Sequence, residues 1–292
     1  MKAAIYTQKN DLDVFLYLSR FISELDKRGV KAIVHTGTAE NLQFSANFKT
    51  FSNYEGLASH GVDFFFSFGG DGTIVSSLYY IQDLGIPVVG VNMGRLGFLA
   101  SFTKENLFGY LDDILRGNTN ISHRSVVEVH LPEEYDIFPY ALNDVAISRR
   151  ETTSMITVES YIDNEFLNVF WGDGVIVSTP TGSTAYSLSC GGPIIAPDNN
   201  NFVITPIAPH NLNVRPLIVN DDVEVKFRVQ SRAKHFTLSL DSRLVHIPVE
   251  TEFSVRKAQF HFALVHPNDL NFYETIRQKL LWGQDRREHK NS

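Results

Sequence analysis

The chain has 292 residues, 43% of them hydrophobic, and a formal net charge of -7. That is material for one large folded domain or two ordinary ones, and the acidic balance excludes a general nucleic-acid or anionic-membrane binder, because those partners reward a basic face. The single cysteine, Cys190, excludes an intrachain disulfide; no apolar run approaches the roughly 18 to 20 residues that span a bilayer, and Met1-Lys2-Ala3-Ala4-Ile5-Tyr6 is too short for a secretory signal, so a cytoplasmic location is expected.

Ala3-Ala4-Ile5-Tyr6 reads as a short strand, and residues 12–28 carry Val14, Phe15, Leu18, Phe21, Ile22 and Leu25 at helical spacing, closed by Lys27-Arg28-Gly29. Residues 30–35 give the next strand. The polar stretch 37–60 has no clear period and is expected to hold a short helix and a variable loop. The packed run Val62-Asp63-Phe64-Phe65-Phe66-Ser67 then delivers Phe68-Gly69-Gly70-Asp71-Gly72-Thr73. A helical pattern starting at Thr73, with Ile74, Leu78 and Ile81 on one face, leaves that turn and ends at Gly85. Ile86-Pro87-Val88-Val89-Gly90-Val91 follows as a strand of the kind buried on both faces. Strands alternating with helices predict a parallel sheet. Ligands of such sheets sit beyond the carboxyl ends of the strands, where the glycine turn and the loop Asn92-Met93-Gly94-Arg95-Leu96-Gly97-Phe98 both lie.

A strand opening into a glycine turn is a phosphate-binding arrangement, since Gly69, Gly70 and Gly72 let backbone N–H groups approach an anion and the next helix start supplies unpaired donors. Asp71 is the odd residue there. A cradle for anions repels a carboxylate, so Asp71 must meet a metal ion or take a proton from something bound. The turn has no lysine to offset a triphosphate, which makes a divalent cation, Mg or Mn, an expected cofactor; no metal ligands are assigned. Gly-Asp-Gly also makes ordinary tight turns, and these six residues alone leave both readings open.

From about residue 120 the period changes. Runs at 126–131, 140–148, 155–161, 166–171, 175–178, 202–207, 216–219, 223–229, 236–240, 245–247, 253–256 and 260–265 read as strands, many alternating in polarity, with Asp163-Asn164 as a tight hairpin turn. Their short spacing predicts an antiparallel β-sandwich. Residues 270–282 form an amphipathic helix with Phe272, Ile276, Leu280 and Leu281 on one side, and the charged tail 284–292 is expected to fray. A lone helix after a β domain needs a surface to pack on, so it is expected to return to the first domain. The expected division is 1–119 plus 268–292 for the α/β domain and 120–267 for the sandwich.

Inside the β half, Trp171-Gly172-Asp173-Gly174-Val175-Ile176-Val177-Ser178-Thr179-Pro180-Thr181-Gly182-Ser183-Thr184-Ala185-Tyr186-Ser187-Leu188-Ser189-Cys190-Gly191-Gly192-Pro193 is more than a sandwich edge requires. It concentrates hydroxyls and backbone donors at the start of a short helical patch from Thr184, and Tyr186 offers a flat face to a nucleobase. A hydroxyl-rich loop capping a helix is the bland alternative. Asn143-Asp144, read as the centre of an apolar strand, is costly unless paired internally or facing a ligand.

Together, Gly69-Gly70-Asp71-Gly72-Thr73, Asn143-Asp144 and the long motif through Gly191-Gly192-Pro193 closely resemble the ATP-dependent NAD kinases of bacteria. Further echoes are Asn92-Met93-Gly94-Arg95-Leu96-Gly97-Phe98-Leu99, Ile207-Ala208-Pro209-His210-Asn211-Leu212 before Arg215-Pro216, and Val265-His266-Pro267-Asn268-Asp269. The resemblance implies a Rossmann-like domain followed by a β-sandwich, with the active site between them in a homo-oligomer, a dimer or tetramer. It implies transfer of phosphate from ATP to the 2'-hydroxyl of the adenosine ribose of NAD. It further implies Asp71 as proton acceptor, Gly69, Gly70, Gly72 and Thr73 on the ATP phosphates, and Asp71, Gly72, Asn143, Asp144, Asp173, Thr184, Ala185, Tyr186, Ser187, Leu188 and Ser189 at NAD. Two departures stand out: Asp144 where many members have glutamate, and Arg243, in Leu240-Asp241-Ser242-Arg243, where members often have glutamine or a smaller polar residue. The glycine turn alone is shared with diacylglycerol-type lipid kinases, which are the alternative; a catalytically silent dinucleotide binder is another.

Overall fold

The apolar runs of the first hundred residues form parallel strands separated by helices. In the computed structural model, which describes residues 1–42, 48–94, 97–150 and 154–283, β1 (Lys2–Thr7) leads to α1 (Leu12–Lys27), β2 (Lys31–His35), α2 (Thr36–Ala39), β3 (Lys49–Phe51), α3 (Tyr54–His60), β4 (Phe64–Gly69), α4 (Asp71–Ile81), β5 (Val88–Asn92), β6 (Phe102–Thr103) and α5 (Leu107–Arg116). The strands lie in the order β3-β2-β1-β4-β5, all parallel. Helix α1 buries Val14, Phe15, Leu18, Phe21, Ile22 and Leu25. The Phe21 ring sits 4.9 Å from Phe66 and 5.0 Å from Phe68, so the phenylalanine run that makes β4 also anchors the helix. Six such side chains contribute on the order of 10 kcal/mol of gross burial, which fixes β4 rigidly beneath the glycine turn.

The second half runs β7 (Asn120–His130), β8 (Tyr140–Ala141), β9 (Asp144–Arg149), β10 (Ile156–Ile162), β11 (Glu165–Gly172), β12 (Gly174–Ser178), a 3-10 turn (Gly182–Thr184), α6 (Tyr186–Ser189), β13 (Asn201–Ile207), β14 (Leu217–Asn220), β15 (Val225–Gln230), β16 (His235–Leu240), β17 (Arg243–Pro248) and β18 (Glu252–His266), followed by α7 (Phe272–Leu280). One antiparallel sheet has the order β14-β13-β12-β9-β16-β17. A second has β11-β10-β15-β18, with β7 pairing β18 and β8. Val145, Ile147, Val175 and Val177 from the first sheet and Val158, Phe227, Val229 and Phe253 from the second share one core, the interior of a β-sandwich. The hairpin turn at Asp163-Asn164 has φ of 49° and 71°, the left-handed pair that matches strand twist.

The chain divides into two units, Met1–Ser122 with Ala263–Ser292, and His123–Phe262. The return to the first unit thus falls inside β18, and α7 belongs to that unit. Several expectations change in detail. The runs at 253–256 and 260–265 are one strand, because Lys257-Ala258-Gln259 interrupts the alternation without breaking the backbone. The stretch 37–60 holds a strand, β3, too short to show a period, as well as helices α2 and α3; residues 43–47 lie outside the described residues. Helix α5, burying Leu107, Leu111 and Ile114, has no counterpart in the sequence reading. Of the apolar side expected for the last helix only Ile276 is buried; Leu281 and Trp282 are exposed. The tail 284–292 and the motif residues Arg95 and Leu96 lie outside the described residues.

Candidate functional site

In the first unit the carboxyl end of β4 is flanked on one side by β1, where Thr7 pairs with Phe68, and on the other by β5, where Gly69 pairs with Asn92. Helix α4 begins at Asp71, two residues before the expected start, with Gly70 as its N-cap. The glycines differ in what they do. A side chain at Gly69 would collide with Thr73, whose buried side chain folds back into that space, whereas Gly70 and Gly72 face open space. Gly70 and Gly72 thus leave open space beside the backbone at the start of α4.

Asp71 has partners that the sequence argument did not provide for. Its Oδ2 accepts the N–H of Phe98 at 2.6 Å, and its Oδ1 accepts those of Leu99 at 3.1 Å and Ala100 at 3.3 Å. The charge expected to need a metal or a reacting hydroxyl is met by backbone dipoles, which also fix the direction of the carboxylate. Gly97 is required at this close approach, since any Cβ there would overlap the Asp71 carboxylate. Just beyond, Ser101 Oγ lies 2.5 Å from Nδ1 of His266, and Ser122 Oγ lies 2.7 Å from its Nε2; Asn268 donates to the Asn118 carbonyl at 3.0 Å. The closing motif therefore holds the end of the Asp71 loop.

A cation is also closer than the local sequence indicated. Lys9 follows β1 and Gly94 follows β5, yet the Lys9 ammonium lies 3.5 Å from where a Cβ on Gly94 would sit. With strands about 4.8 Å apart, the side chain crosses the mouth of β4. No carboxylate among the described residues pairs with it.

In the second unit the strand expected through 140–148 is broken at Leu142 and Asn143, and Asp144 opens β9. The polar pair therefore sits at a break and not at a strand centre, because its backbone amides turn to another acceptor. Asp241 accepts the N–H of Leu142 at 3.0 Å, Asn143 at 2.8 Å and Asp144 at 3.3 Å. Thr179 holds the opposite side, donating from N to the Asn143 carbonyl at 2.9 Å and from Oγ1 to that of Leu142 at 2.7 Å. A side chain at Gly182 would strike the Asn143 carbonyl, so the loop can close this tightly only with glycine.

Asp144 is 4% exposed, and burial together with the nearby Asp241 carboxylate pushes its carboxyl up to about 7. Burial raises Asp241 too, but three backbone N–H donors and the Arg243 guanidinium oppose that. Both carboxyls are thus raised by burial, and only that of Asp241 is opposed by donors and a cation. Arg243 stacks 4.6 Å over Phe138, donates to the Tyr140 carbonyl and reaches the Leu240 carbonyl at 3.3 Å, so this unusual cation is used inside the fold.

The long motif is mostly occupied with itself. Ser183 Oγ donates to the Pro180 carbonyl at 2.6 Å, Thr184 Oγ1 to that of Thr181 at 3.1 Å, and the buried Ser187 hydroxyl pairs with Thr205 at 2.8 Å. The helix expected from Thr184 is only a 3-10 turn and the single turn α6, broken at Ala185, so it has little dipole to offer an anion. Tyr186 remains 46% exposed with its ring open, and Ser189 is exposed beside it, while Thr184, Ala185 and Leu188 are half-buried. Burial is the main cause raising the Tyr186 hydroxyl, with Cys190, Asp144 and Asp173 adding to it. Asp173 lies apart from Asn143 and Asp144: β12 pairs Ser178 with Asp144 but Gly174 with Ser148, so Asp173 is at the other end of the strand, 3.1 Å from Arg149.

Comparison with known proteins identifies the family. Residues 9–119 match the family model described as the ATP-NAD kinase N-terminal domain, and residues 142–267 match the ATP-NAD kinase C-terminal domain. The chain is 43% identical to the NAD kinase of Christiangramia forsetii over 98% of this chain and 100% of that protein, and 42% identical to that of Cytophaga hutchinsonii over 93% and 94%. Yeast NADH kinase complexed with NADH superposes with a TM-score of 0.88 at 25% identity, covering 98% of this chain and 89% of that one. An Archaeoglobus fulgidus NAD kinase in complex with ATP superposes at 0.77 and 23% identity, covering 96% and 99%, a likeness of fold.

Proposed function

The chain belongs to the ATP-NAD kinase family, and from that premise we propose how its residues divide the transfer of a phosphoryl group from ATP to the 2'-hydroxyl of the adenosine ribose of NAD, giving NADP and ADP. Asp71 is the catalytic base. It hydrogen-bonds the 2'-hydroxyl and accepts its proton as the new P–O bond forms, a step that needs heavy-atom contact at about 2.6 to 3.2 Å in the reactive complex. The observation that carries this role is the carboxylate itself, aimed by three N–H groups at the end of a parallel strand. Gly70 and Gly72 present backbone to the ATP phosphates, with Gly69 and Thr73 packed beneath them, and Lys9 supplies positive charge from the side.

In the second unit Asn143, Asp144 and Tyr186 take the dinucleotide, with Asp173, Thr184, Ala185, Ser187, Leu188 and Ser189 shaping the surface around them. Tyr186 stacks on the base and Asp144 meets a sugar hydroxyl. Among the described residues there is no group of three or more acidic, histidine or cysteine side chains that could hold a metal ion. A divalent cation belongs to this reading as a partner of the ATP oxygens, as magnesium commonly is. When bound, it neutralises developing phosphate charge. A cytoplasmic, homo-oligomeric state belongs to the same reading; the exposed Phe166, Val169 and Trp171 on edge strand β11 support the assembly.

Incubating the purified protein with NAD, ATP and magnesium tests the function: NADP must appear, and diacylglycerol must not be phosphorylated. A folded protein that makes no NADP refutes it.

A further inference from the structure

We propose that Asp241, given no role in the sequence analysis, is the positioning residue of the dinucleotide site, clamping the backbone of residues 142–144 so that Asn143 and Asp144 face NAD. This rests on the reading of those two residues as NAD contacts. Asp241 is the first residue of the two-residue turn between β16 and β17, where Leu240 pairs with Arg243. Its φ is 53°, a left-handed conformation that aspartate and asparagine tolerate better than other side chains. That backbone aims the carboxylate at the break between β8 and β9.

Three consecutive N–H groups, those of Leu142, Asn143 and Asp144, converge on the carboxylate, and the Asp241 N–H returns to the Asp144 carbonyl at 3.0 Å. A neutral side chain lacks the acceptor capacity and charge to hold three donors so well. The carbonyls of the same segment are held by Thr179, so both edges of residues 142–144 are fixed and only their side chains remain adjustable. Arg243 braces the turn from behind through the Tyr140 and Leu240 carbonyls.

The clamp places one carboxylate next to another. The groups facing Asp144 are Asp241 from the β16–β17 turn and Tyr186 and Cys190 from α6 and its end, with Arg243 behind Asp241. Asp144 therefore changes charge near neutral pH, and Asp241 tunes where.

Steady-state kinetics of Asp241→Asn, which keeps the left-handed backbone, provide the test. The expected result is a Michaelis constant for NAD raised about 10-fold or more, the usual consequence of misplacing a contact group, with that for ATP within twofold. The pH at which NAD affinity changes must also move to lower pH, because the like charge beside Asp144 is gone. An unchanged NAD constant, equal rises for NAD and ATP, or an unmoved pH profile overturns the proposal. Asp144→Asn is measured in parallel: if it leaves the NAD constant unaltered, the assignment of Asn143 and Asp144 fails, whereas an effect there without one at Asp241 sinks only the clamp. Should Asp241→Asn not fold, hydrogen exchange in the unmutated protein reads the clamp directly. Amides of Leu142, Asn143 and Asp144 protected together at pH 7 and released together in acid support it; amides exchanging as freely as an open loop overturn it.

Discussion

Replacing Asp144 with asparagine should make the protein's stability less sensitive to pH. Asp144 is buried beside Asp241 and holds its proton up to about pH 7, against an ordinary value of 3.8. A carboxyl that binds its proton more tightly folded than unfolded contributes stability that is fully present below pH 3.8 and lost as pH rises through about 7. At about 1.4 kcal/mol per pH unit of separation, the loss is at most about 4 kcal/mol, and water reaching the pair would reduce it to about half that. Asparagine has the same shape and never ionises. The variant should therefore gain on the unmutated protein steadily between pH 4 and pH 7, by about 2 to 4 kcal/mol in all, equivalent to roughly 5 to 15 °C in melting midpoint for a domain of this size. Urea unfolding of both proteins without ligand, at half-unit pH intervals from 4 to 8, measures it. A stability difference that stays flat across that range would show that Asp144 ionises at the ordinary value and that the carboxylate pair is not coupled as described.

Asp71→Asn should lower the turnover number by roughly 100-fold to 10,000-fold while NAD affinity by direct titration changes little; more than about a tenth of normal turnover would refute the base assignment. Lys9→Met should raise the Michaelis constant for ATP about 10-fold or more, the worth of one hydrogen bond to a charged group, and leave that for NAD unaltered, whereas equal effects on both would remove Lys9 from the phosphate site. For Tyr186→Ala the expected loss is about 1 to 3 kcal/mol in NAD binding with ATP unaffected, read from the two Michaelis constants, and a matching loss for ATP would contradict a separate stacking role.

The parts legible in the sequence are those set by short-range pattern. Phe64, Phe65 and Phe66 announce a buried strand, Gly69 to Gly72 announce a turn, and Ile74, Leu78 and Ile81 announce the helix beyond, because periodicity and glycine act locally. What was not legible comes from residues far apart in the chain. Asp71 finds its donors 27 to 29 positions later, and Asp241 finds its own about 98 positions earlier. Lys9 reaches Gly94 only because β1 and β5 flank β4. The hydroxyls of the long motif were legible as residues but not as partners: Thr179 and Ser183 serve the backbone beside them, and only the folded loop separates those from the exposed Tyr186.

The close approach of Gly97 to Asp71 bears on how such a site tolerates mutation. The two positions form one steric unit split across a loop: any side chain at 97 occupies the space of the carboxylate at 71. Their substitutions are therefore epistatic. With alanine at 97 the aspartate is already displaced, and its replacement costs little more; with glycine at 97 the same replacement removes the base outright. A mutational path that alters the loop first passes through inactive proteins in which selection no longer distinguishes one residue at 71 from another, so the pair is retained or lost together.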